Sequence, residues 1–261
     1  MNLGYACINT GLSANRIMTN RTMRRKTFDA RGIDYVSDLS LANIKDLKTI
    51  VQWNNEMGIK LFRLSSQIFP WSDEYNVEDL KDYEEISSLM LEIGRIATDA
   101  GQRLTMHPGP YNCLASPTQK VVDKTIRELN SHSKQFNMFG FKPSNYNKIN
   151  IHVGGAYGDR KSTLARFCNN FHLLNEDTKK RLVIENDDSP NEYSVKDLFD
   201  GIYQIIGIPI TFDYFHHKFN TGGLTEEQAL KMASITWPEG VTQCCHYSES
   251  RRKEKLDESI R

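Results

Sequence analysis

The 261-residue sequence lacks the features that mark several specialised classes of protein. Its longest apolar runs are only as long as a β-strand, whereas a membrane-spanning helix needs about 18 or more consecutive apolar residues. The first residues, MNLGYACIN, contain no basic segment followed by a long apolar stretch, so no secretory signal is expected. We therefore expect no membrane association and an intracellular location, cytoplasmic if the source is prokaryotic or viral and nuclear if it is eukaryotic.

Paired cysteines and net charge are also absent. The five cysteines are scattered and form no CxxC pair, so neither a disulfide framework nor a four-cysteine zinc site is indicated. The 33 basic and 33 acidic residues cancel, which argues against a uniformly basic nucleic-acid-binding surface, although binding depends on where the charges lie. With 39% hydrophobic residues, the chain has the composition of a folded globular protein.

Seven short runs rich in β-branched and aromatic residues alternate with longer polar stretches of helical periodicity. The runs cover residues 3–9, 59–65, 103–108, 148–154, 181–187, 209–215 and 241–247. This alternation predicts parallel strands joined by helices, and seven such units approach a (β/α) TIM barrel of about 250 residues. Because no linker interrupts the pattern, we expect a single domain over residues 1–261, shortened at its C-terminus so that the eighth unit is missing.

Imidazoles and carboxylates end five successive strands. They are His107, His152, Glu185, Asp213 and His246, with His216 and His217 directly after the fourth. A lone histidine at a strand end is more often structural than a ligand, and His132 and His172, inside helical stretches, are interpreted that way. Five consecutive strand ends share one rim of a parallel barrel, so these side chains should converge. Such a set suits Zn, Mn or Fe, and the absence of a thiolate pair favours Mn or Zn.

The connection after the first strand is basic. Residues 11–27 contain four arginines and a lysine, including Arg24 and Arg25, and no acidic residue. The connections over residues 10–40 and 65–80 are expected to be long loops on the catalytic face. A run of charge is usually a solvated surface, but above a metal rim it would clamp phosphate oxygens. Clusters of two or three ions are typical of phosphodiester hydrolysis, and exposed aromatic rings can hold an unstacked base.

Seven motifs together resemble those of the UV damage endonucleases. In chain order they are LGYACIN, RLSSQIFP, MHPGPYNCL, NIHVGG, VIENDD, TFDYFHH and CHYSE. The resemblance implies a TIM barrel related to endonuclease IV that holds up to three divalent ions, usually Mn²⁺, with Zn²⁺ or Mg²⁺ as alternatives. It also implies a monomer that incises double-stranded DNA directly 5′ to cyclobutane dimers and 6-4 photoproducts.

The resemblance implies a role for each matching residue. One metal is assigned to His107, His152 and Glu185, a second to Glu185, Asp213 and His246, and a third to His216. The catalytic residues are then Glu185, His246 and His216. The implied substrate-binding residues are Tyr5, Asn9, Pro110 and Tyr111 at the lesion and Arg63, Ser65 and Ser66 at the phosphates. Arg24 and Arg25 are added to the substrate-binding residues from the charge of the basic loop and not from the resemblance.

Three positions depart from the family pattern: Pro110 replaces a glutamine, Cys244 a lysine and Gln67 a histidine. The family also continues with a further histidine and glutamate that bind metal, so we expect weak or no activity from 261 residues. Two other functions stay open. One is a sugar isomerase or epimerase on the same kind of barrel, and the other is a catalytically weakened protein that only binds damaged DNA.

Overall fold

The computed structural model describes residues 2–249, and the strands follow the predicted order. Seven parallel strands pair with their sequence neighbours in one sheet. They are β1 (Gly4–Ala6), β2 (Leu61–Leu64), β3 (Arg103–Met106), β4 (Ile149–Ile151), β5 (Leu182–Glu185), β6 (Ile210–Asp213) and β7 (Cys245–His246). Within the described range β1 and β7 are the two free edges, and both line the same cleft, so the sheet curls into an open TIM-type barrel. The predicted fold class is confirmed.

Helices cover the outside of this sheet. They are α1 (Thr10–Ser13), α2 (Arg25–Glu56), α3 (Tyr83–Asp99), α4 (Gln119–Met138), α5 (Arg160–Phe171), α6 (Glu176–Arg181), α7 (Val195–Leu198), α8 (Gln204–Ile206), α9 (Tyr214–His217) and α10 (Glu226–Ser234). Short 3-10 turns lie at Val77–Asp79 and Asn145–Asn147, and a π-helical turn at Phe199–Tyr203. Between residues 2 and 249, no helix is both long and apolar enough to cross a membrane.

The expected long loop over residues 10–40 is only partly a loop. Helix α2 begins at Arg25 and runs for 32 residues, with a break at Gly32, whose φ of 64° lies outside the helical region. The helix forms here because Val36, Ile44 and Leu47 face the sheet and are fully buried. The basic stretch therefore ends at the start of a helix.

Alternate residues of each strand face the helices and the barrel interior. Leu104, Ile151 and Phe212 belong to the main apolar core beneath the helices. The interior side is polar, and Arg103 and Glu185 are both buried there at opposite ends of the barrel. Residues 250–261, most of the charged segment that ends the sequence, lie outside the described part of the chain.

Candidate metal centre

Glu185, the last residue of β5, is surrounded by four histidines. Its Oε2 lies 3.2 Å from His107 Nε2 and 3.9 Å from His152 Nε2. Its Oε1 lies 2.9 Å from His246 Nδ1 and 3.6 Å from His216 Nδ1. The Glu185 side chain is only 2% exposed, so the carboxylate is enclosed by these imidazoles. The structure thus brings together the strand-end residues that the sequence predicts will converge.

Two groups of side chains at this rim could hold a divalent ion. One consists of His107, His152 and Glu185, and the other of Glu185, Asp213 and His246, with the ligand atoms of each within 4.8 Å of one another. These are the first two sets implied by the resemblance, and both contain Glu185. His216 lies beside Glu185, but no third group of three ligands forms around it among residues 2–249.

Neighbouring groups orient the imidazoles of the first set. The Nδ1–H of His107 donates to the carbonyl of Pro108 at 2.9 Å, and this contact turns Nε2 towards Glu185. His152 Nδ1 makes an ion-pair contact of 2.7 Å with Asp187 Oδ1, and its Nε2 also faces Glu185. A ligand histidine held through its second nitrogen is the usual arrangement in metal sites. The donor set therefore fits a divalent ion.

Asp213 performs two tasks in the second set. Its Oδ1 accepts hydrogen bonds from the backbone N–H groups of Phe215 and His216, at 2.8 and 2.9 Å, and so caps helix α9. A carboxylate has two oxygens, so Oδ2 can still reach a ligand position. The His216 ring is held separately, because its Nδ1–H donates to the Asn186 carbonyl at 2.8 Å.

The charges around the rim favour the ionised form of Glu185. Burial by itself would raise the pKa of Glu185, but His246, His107 and His152 hold the pKa well below its usual range. Burial opposes protonation of His152 too, yet Asp187 and Glu185 raise its pKa to about 9. Burial and the nearby Lys148 lower the pKa of His246 to about 4. Glu185 is therefore ionised over a wide pH range.

Three functional neighbours were not predicted from the sequence. Asp187 follows Glu185 by two residues in VIENDD, a spacing that could have indicated a carboxylate on the same side. Asn150 donates from Nδ2 to Glu185 Oε2, and Lys148 donates to Asn150. No sequence pattern signals a fully buried lysine, because lysines are almost always exposed unless paired.

A cleft of about 590 Å³ opens over the metal centre, between the sheet edges β1 and β7. Tyr5, Arg63 and Pro110 line it. Tyr111 lies beyond Pro110 on the rim with 89% of its surface exposed, and together with Ser66 it lines a neighbouring cleft of about 280 Å³. These residues are on the expected face of the barrel.

Several expected substrate-binding groups have partners within the chain. The Tyr5 hydroxyl donates to Asn54 Oδ1 at 2.7 Å and accepts from Asn9 Nδ2 at 2.8 Å. Asn9 Oδ1 accepts from Leu12 N and caps helix α1, so both ends of this buried amide are in use. Ser65 Oγ accepts from the backbone N–H of Gln67. Arg63 differs, because its buried Nε has no hydrogen-bond partner among the described residues.

The basic loop carries less free charge than its composition indicates. Arg25 contacts Asp29 at 2.8 Å and Glu74 at 2.7 Å, and Arg21 contacts Asp46 at 2.7 Å. Arg24, at the N-terminal cap of α2, is exposed and makes no ion pair within the described range. Arg24 is therefore better placed than Arg25 to contact a phosphate.

The other noted residues lie outside the cleft floor. His217 is buried against Phe212, with ring centroids 5.3 Å apart, and His132 is buried in α4 beside Glu128. His172 forms the C-terminal cap of α5. The structural interpretation of His132 and His172 agrees with these positions.

Of the three positions that depart from the family pattern, Pro110 lines the cleft, and the other two have different surroundings. Gln67 is exposed and accepts a hydrogen bond from the Thr22 hydroxyl at 3.1 Å. Cys244 is buried close enough to Lys148 to influence its charge.

Sequence comparison identifies related proteins. The profile of the family described as UV-endonuclease UvdE matches residues 1–259. The chain is 38% identical over 263 residues to the UV-damage endonuclease of Schizosaccharomyces pombe, covering 95% of this chain and 42% of that protein. It is 34% identical over 250 residues to the putative UV-damage endonuclease of Acanthamoeba polyphaga mimivirus, covering 94% and 74%. The chain thus spans less than half of the first of these relatives.

Solved structures agree on the architecture. The crystal structure of SacUVDE superposes with a TM-score of 0.86 at 31% identity, covering 98% of this chain and 83% of the other. The D-psicose 3-epimerase of Clostridium cellulolyticum H10 superposes with a TM-score of 0.55 at 14% identity, over 77% of this chain and 67% of the other, a likeness of fold alone. From the profile match over nearly its whole length, the chain belongs to the UvdE family of UV endonucleases.

Proposed function

We propose that this protein is a metal-dependent repair endonuclease that hydrolyses the phosphodiester 5′ to UV photoproducts in double-stranded DNA. The observation that carries the proposal is Glu185, a buried carboxylate shared by two groups of possible metal ligands at the floor of an open cleft. Two ions that share one carboxylate are a typical arrangement for in-line displacement at phosphorus. Family membership supports DNA as the substrate.

The protein supplies the positions of the ligands and of the scissile phosphate. His107, His152 and Asp213 would hold the ions with Glu185 and His246, and Mn²⁺ suits this mixture of imidazole and carboxylate. Ions bound there would stabilise the charge that develops on the phosphate and on the leaving oxygen.

Side chains around the cleft would bind the DNA. Arg63 would face a phosphate from the wall of the cleft, because it lines the cleft and its guanidinium makes no ion pair among residues 2–249. Exposed Tyr111 would contact the bases at the lesion, and Pro110 would pack beside them without the hydrogen bonds of an amide. Arg24 would contact the DNA backbone outside the cleft. A monomer suffices for this arrangement, since every proposed ligand comes from one chain.

An incision assay tests the proposal. We expect the protein with Mn²⁺ to cut a duplex that contains one cyclobutane dimer directly 5′ to the lesion, and to leave the undamaged duplex intact. A chelator should abolish the cut, and a gel shift on the same duplexes reports binding separately. Binding to damaged DNA without incision at any metal concentration would favour the damage-binding alternative. Turnover of a ketose without either DNA effect would favour the epimerase alternative.

A further inference from the structure

We propose that Lys148 and Asn150 are positioning residues that fix the orientation of the Glu185 carboxylate and so set the affinity of the site for its ions. This inference rests on the proposed metal-dependent function. It concerns an internal chain of hydrogen bonds that reaches the metal centre from the barrel interior, on the side away from the cleft.

Lys148 lies directly before β4 and is completely buried. Its Nζ donates to Asn150 Oδ1 and to Thr211 Oγ1, each at 2.9 Å, and lies 3.4 Å from His246 Nε2. No carboxylate pairs directly with this lysine among residues 2–249, so its three neighbours are an amide, a hydroxyl and an imidazole. A buried lysine costs folding free energy, and two of the three partners of Lys148, Asn150 and His246, in turn contact Glu185, so the site explains this lysine better than stability does.

The contact from Lys148 decides which end of the Asn150 amide faces Glu185. Because Asn150 Oδ1 accepts from Lys148, its Nδ2 points the other way and donates to Glu185 Oε2. If the amide turned over, an oxygen would face the carboxylate and an N–H would face the lysine, and both contacts would be unfavourable. Lys148 therefore acts on Glu185 through Asn150.

The same chain constrains both oxygens of Glu185. Asn150 holds Oε2, the oxygen that faces His107 and His152, while His246 lies 2.9 Å from Oε1. Lys148 touches both of these neighbours. Because Glu185 belongs to both groups of possible ligands, a fixed carboxylate plane would favour ion binding at both.

Calorimetric titration of the metal-free protein with Mn²⁺ tests this arrangement. We expect Lys148→Met, which keeps an unbranched side chain as far as Cε but removes the donor group, to weaken Mn²⁺ binding by about 10- to 100-fold, the usual effect of losing a partner of a ligand. Asn150→Leu interrupts the same chain at its next member and should weaken binding to a similar extent. Because both variants break one chain, the double variant should bind no more weakly than the weaker single variant.

Lys60→Met is a matched control. Lys60 is a partly buried lysine that donates to the carbonyl of Ala100 at 2.7 Å, just before β2 at the opposite end of the barrel. Its loss should lower the thermal stability without changing Mn²⁺ affinity. Electron paramagnetic resonance of the Mn²⁺-loaded protein supplies a second measurement, since a carboxylate shared by two Mn²⁺ ions couples their spins. Lys148→Met should alter that coupled signal, and Lys60→Met should preserve it.

The outcomes separate this inference from the proposed function. If the wild-type protein binds no Mn²⁺, the metal-dependent function fails and the inference fails with it. If the wild type binds Mn²⁺ and Lys148→Met binds it with unchanged affinity and spectrum, only the positioning role is wrong. If Lys148→Met does not fold, Asn150→Leu decides, and unchanged Mn²⁺ affinity in that variant also overturns the inference.

Discussion

The two ends of the barrel each bury a charged side chain, and they treat it in opposite ways. At the N-terminal end, the guanidinium of Arg103 donates to the carbonyls of Tyr146, Asn145 and Thr242. At the C-terminal end, imidazoles surround the buried Glu185 carboxylate, and nitrogens of His107, His152 and His246 lie 2.9 to 3.9 Å from its oxygens. The guanidinium of Arg103 thus has hydrogen-bond acceptors within the chain. The side chains around Glu185 instead form two groups that could bind a divalent ion.

We interpret the charge of Arg103 as structural, and we propose that the charge of Glu185 is functional. A buried cation with carbonyl partners locks loops together, and its removal leaves acceptors without donors. A buried carboxylate among histidines instead forms a group of possible metal ligands, at the end of the barrel where TIM-barrel active sites lie. The following predictions test this division, in order of expected effect.

Loss of the central carboxylate should have the largest effect. Glu185→Gln keeps the size of the side chain but removes the charge shared by both ligand groups. We expect incision to fall on the order of 10³-fold or more, with Mn²⁺ binding strongly weakened and thermal stability retained. Glu176→Gln is the control, because Glu176 is an exposed residue of α6 whose ion pair within residues 2–249 is with Lys179, and it should change neither incision nor Mn²⁺ binding. Near-wild-type incision by Glu185→Gln would contradict the proposed centre.

Arg103→Met should show the reverse pattern. Three carbonyl groups lose their donor, so we expect a loss of roughly 3 kcal/mol in the free energy of unfolding and a melting temperature lower by roughly 10 °C. Mn²⁺ affinity at 20 °C should stay at the wild-type value. A large drop in metal affinity with little loss of stability would mean that the two ends are not independent.

The metal-free protein should lose stability as pH rises. Contact with Asp187 and Glu185 outweighs burial and raises the folded-state pKa of His152 to about 9, above the unfolded value of 6.5. Stability from this contact is therefore complete below pH 6.5 and lost as pH approaches 9.

The expected decrease in melting temperature is on the order of 5 °C, measured by calorimetry with a chelator present. In Asp187→Asn the decrease should be smaller, because the neutral amide no longer favours the protonated imidazole. An identical pH profile in wild type and Asp187→Asn would remove His152 as the cause.

The smallest effect concerns two neighbouring arginines. Arg24 has no ion pair within residues 2–249, while Arg25 is held by Asp29 and Glu74. Arg24→Gln should reduce the slope of log affinity against log salt by about 0.9 in DNA titrations, the value for one lost phosphate contact. Arg25→Gln should leave the slope unchanged. If both variants changed the slope equally, internal pairing would not decide which arginine binds DNA.

The barrel and the main ligands could be predicted because both depend on local sequence. Each strand is a short apolar run, and the residue that ends it reaches the shared rim regardless of how the helices pack. His107, Glu185 and Asp213 were found in this way. The sequence does not predict where α2 begins, because the basic residues around Arg25 are also typical of a solvated loop.

The partners of these ligands could not be predicted, since they depend on distances in the folded chain. Glu74 pairs with Arg25 from 49 residues away, and Asn54 holds Tyr5 from the same separation. Lys148 would be expected at the surface, where most lysines lie. Its hydrogen bond with Asn150 is visible only in the folded structure.

The short pairing of strand β7 has a consequence for local folding at the site. It is two residues long, pairs with β6 through only Cys245 and His246, and carries one of the ligand imidazoles. An ion shared by His246, Asp213 and Glu185 would fasten this edge to β6 and β5, so binding and local folding form a single equilibrium. The backbone amides of β7 would then exchange with deuterium more slowly as Mn²⁺ is added, while those of the central strand β4 would keep their rate. The exchange rate of the β7 amides would thus report how much of the site is occupied by metal.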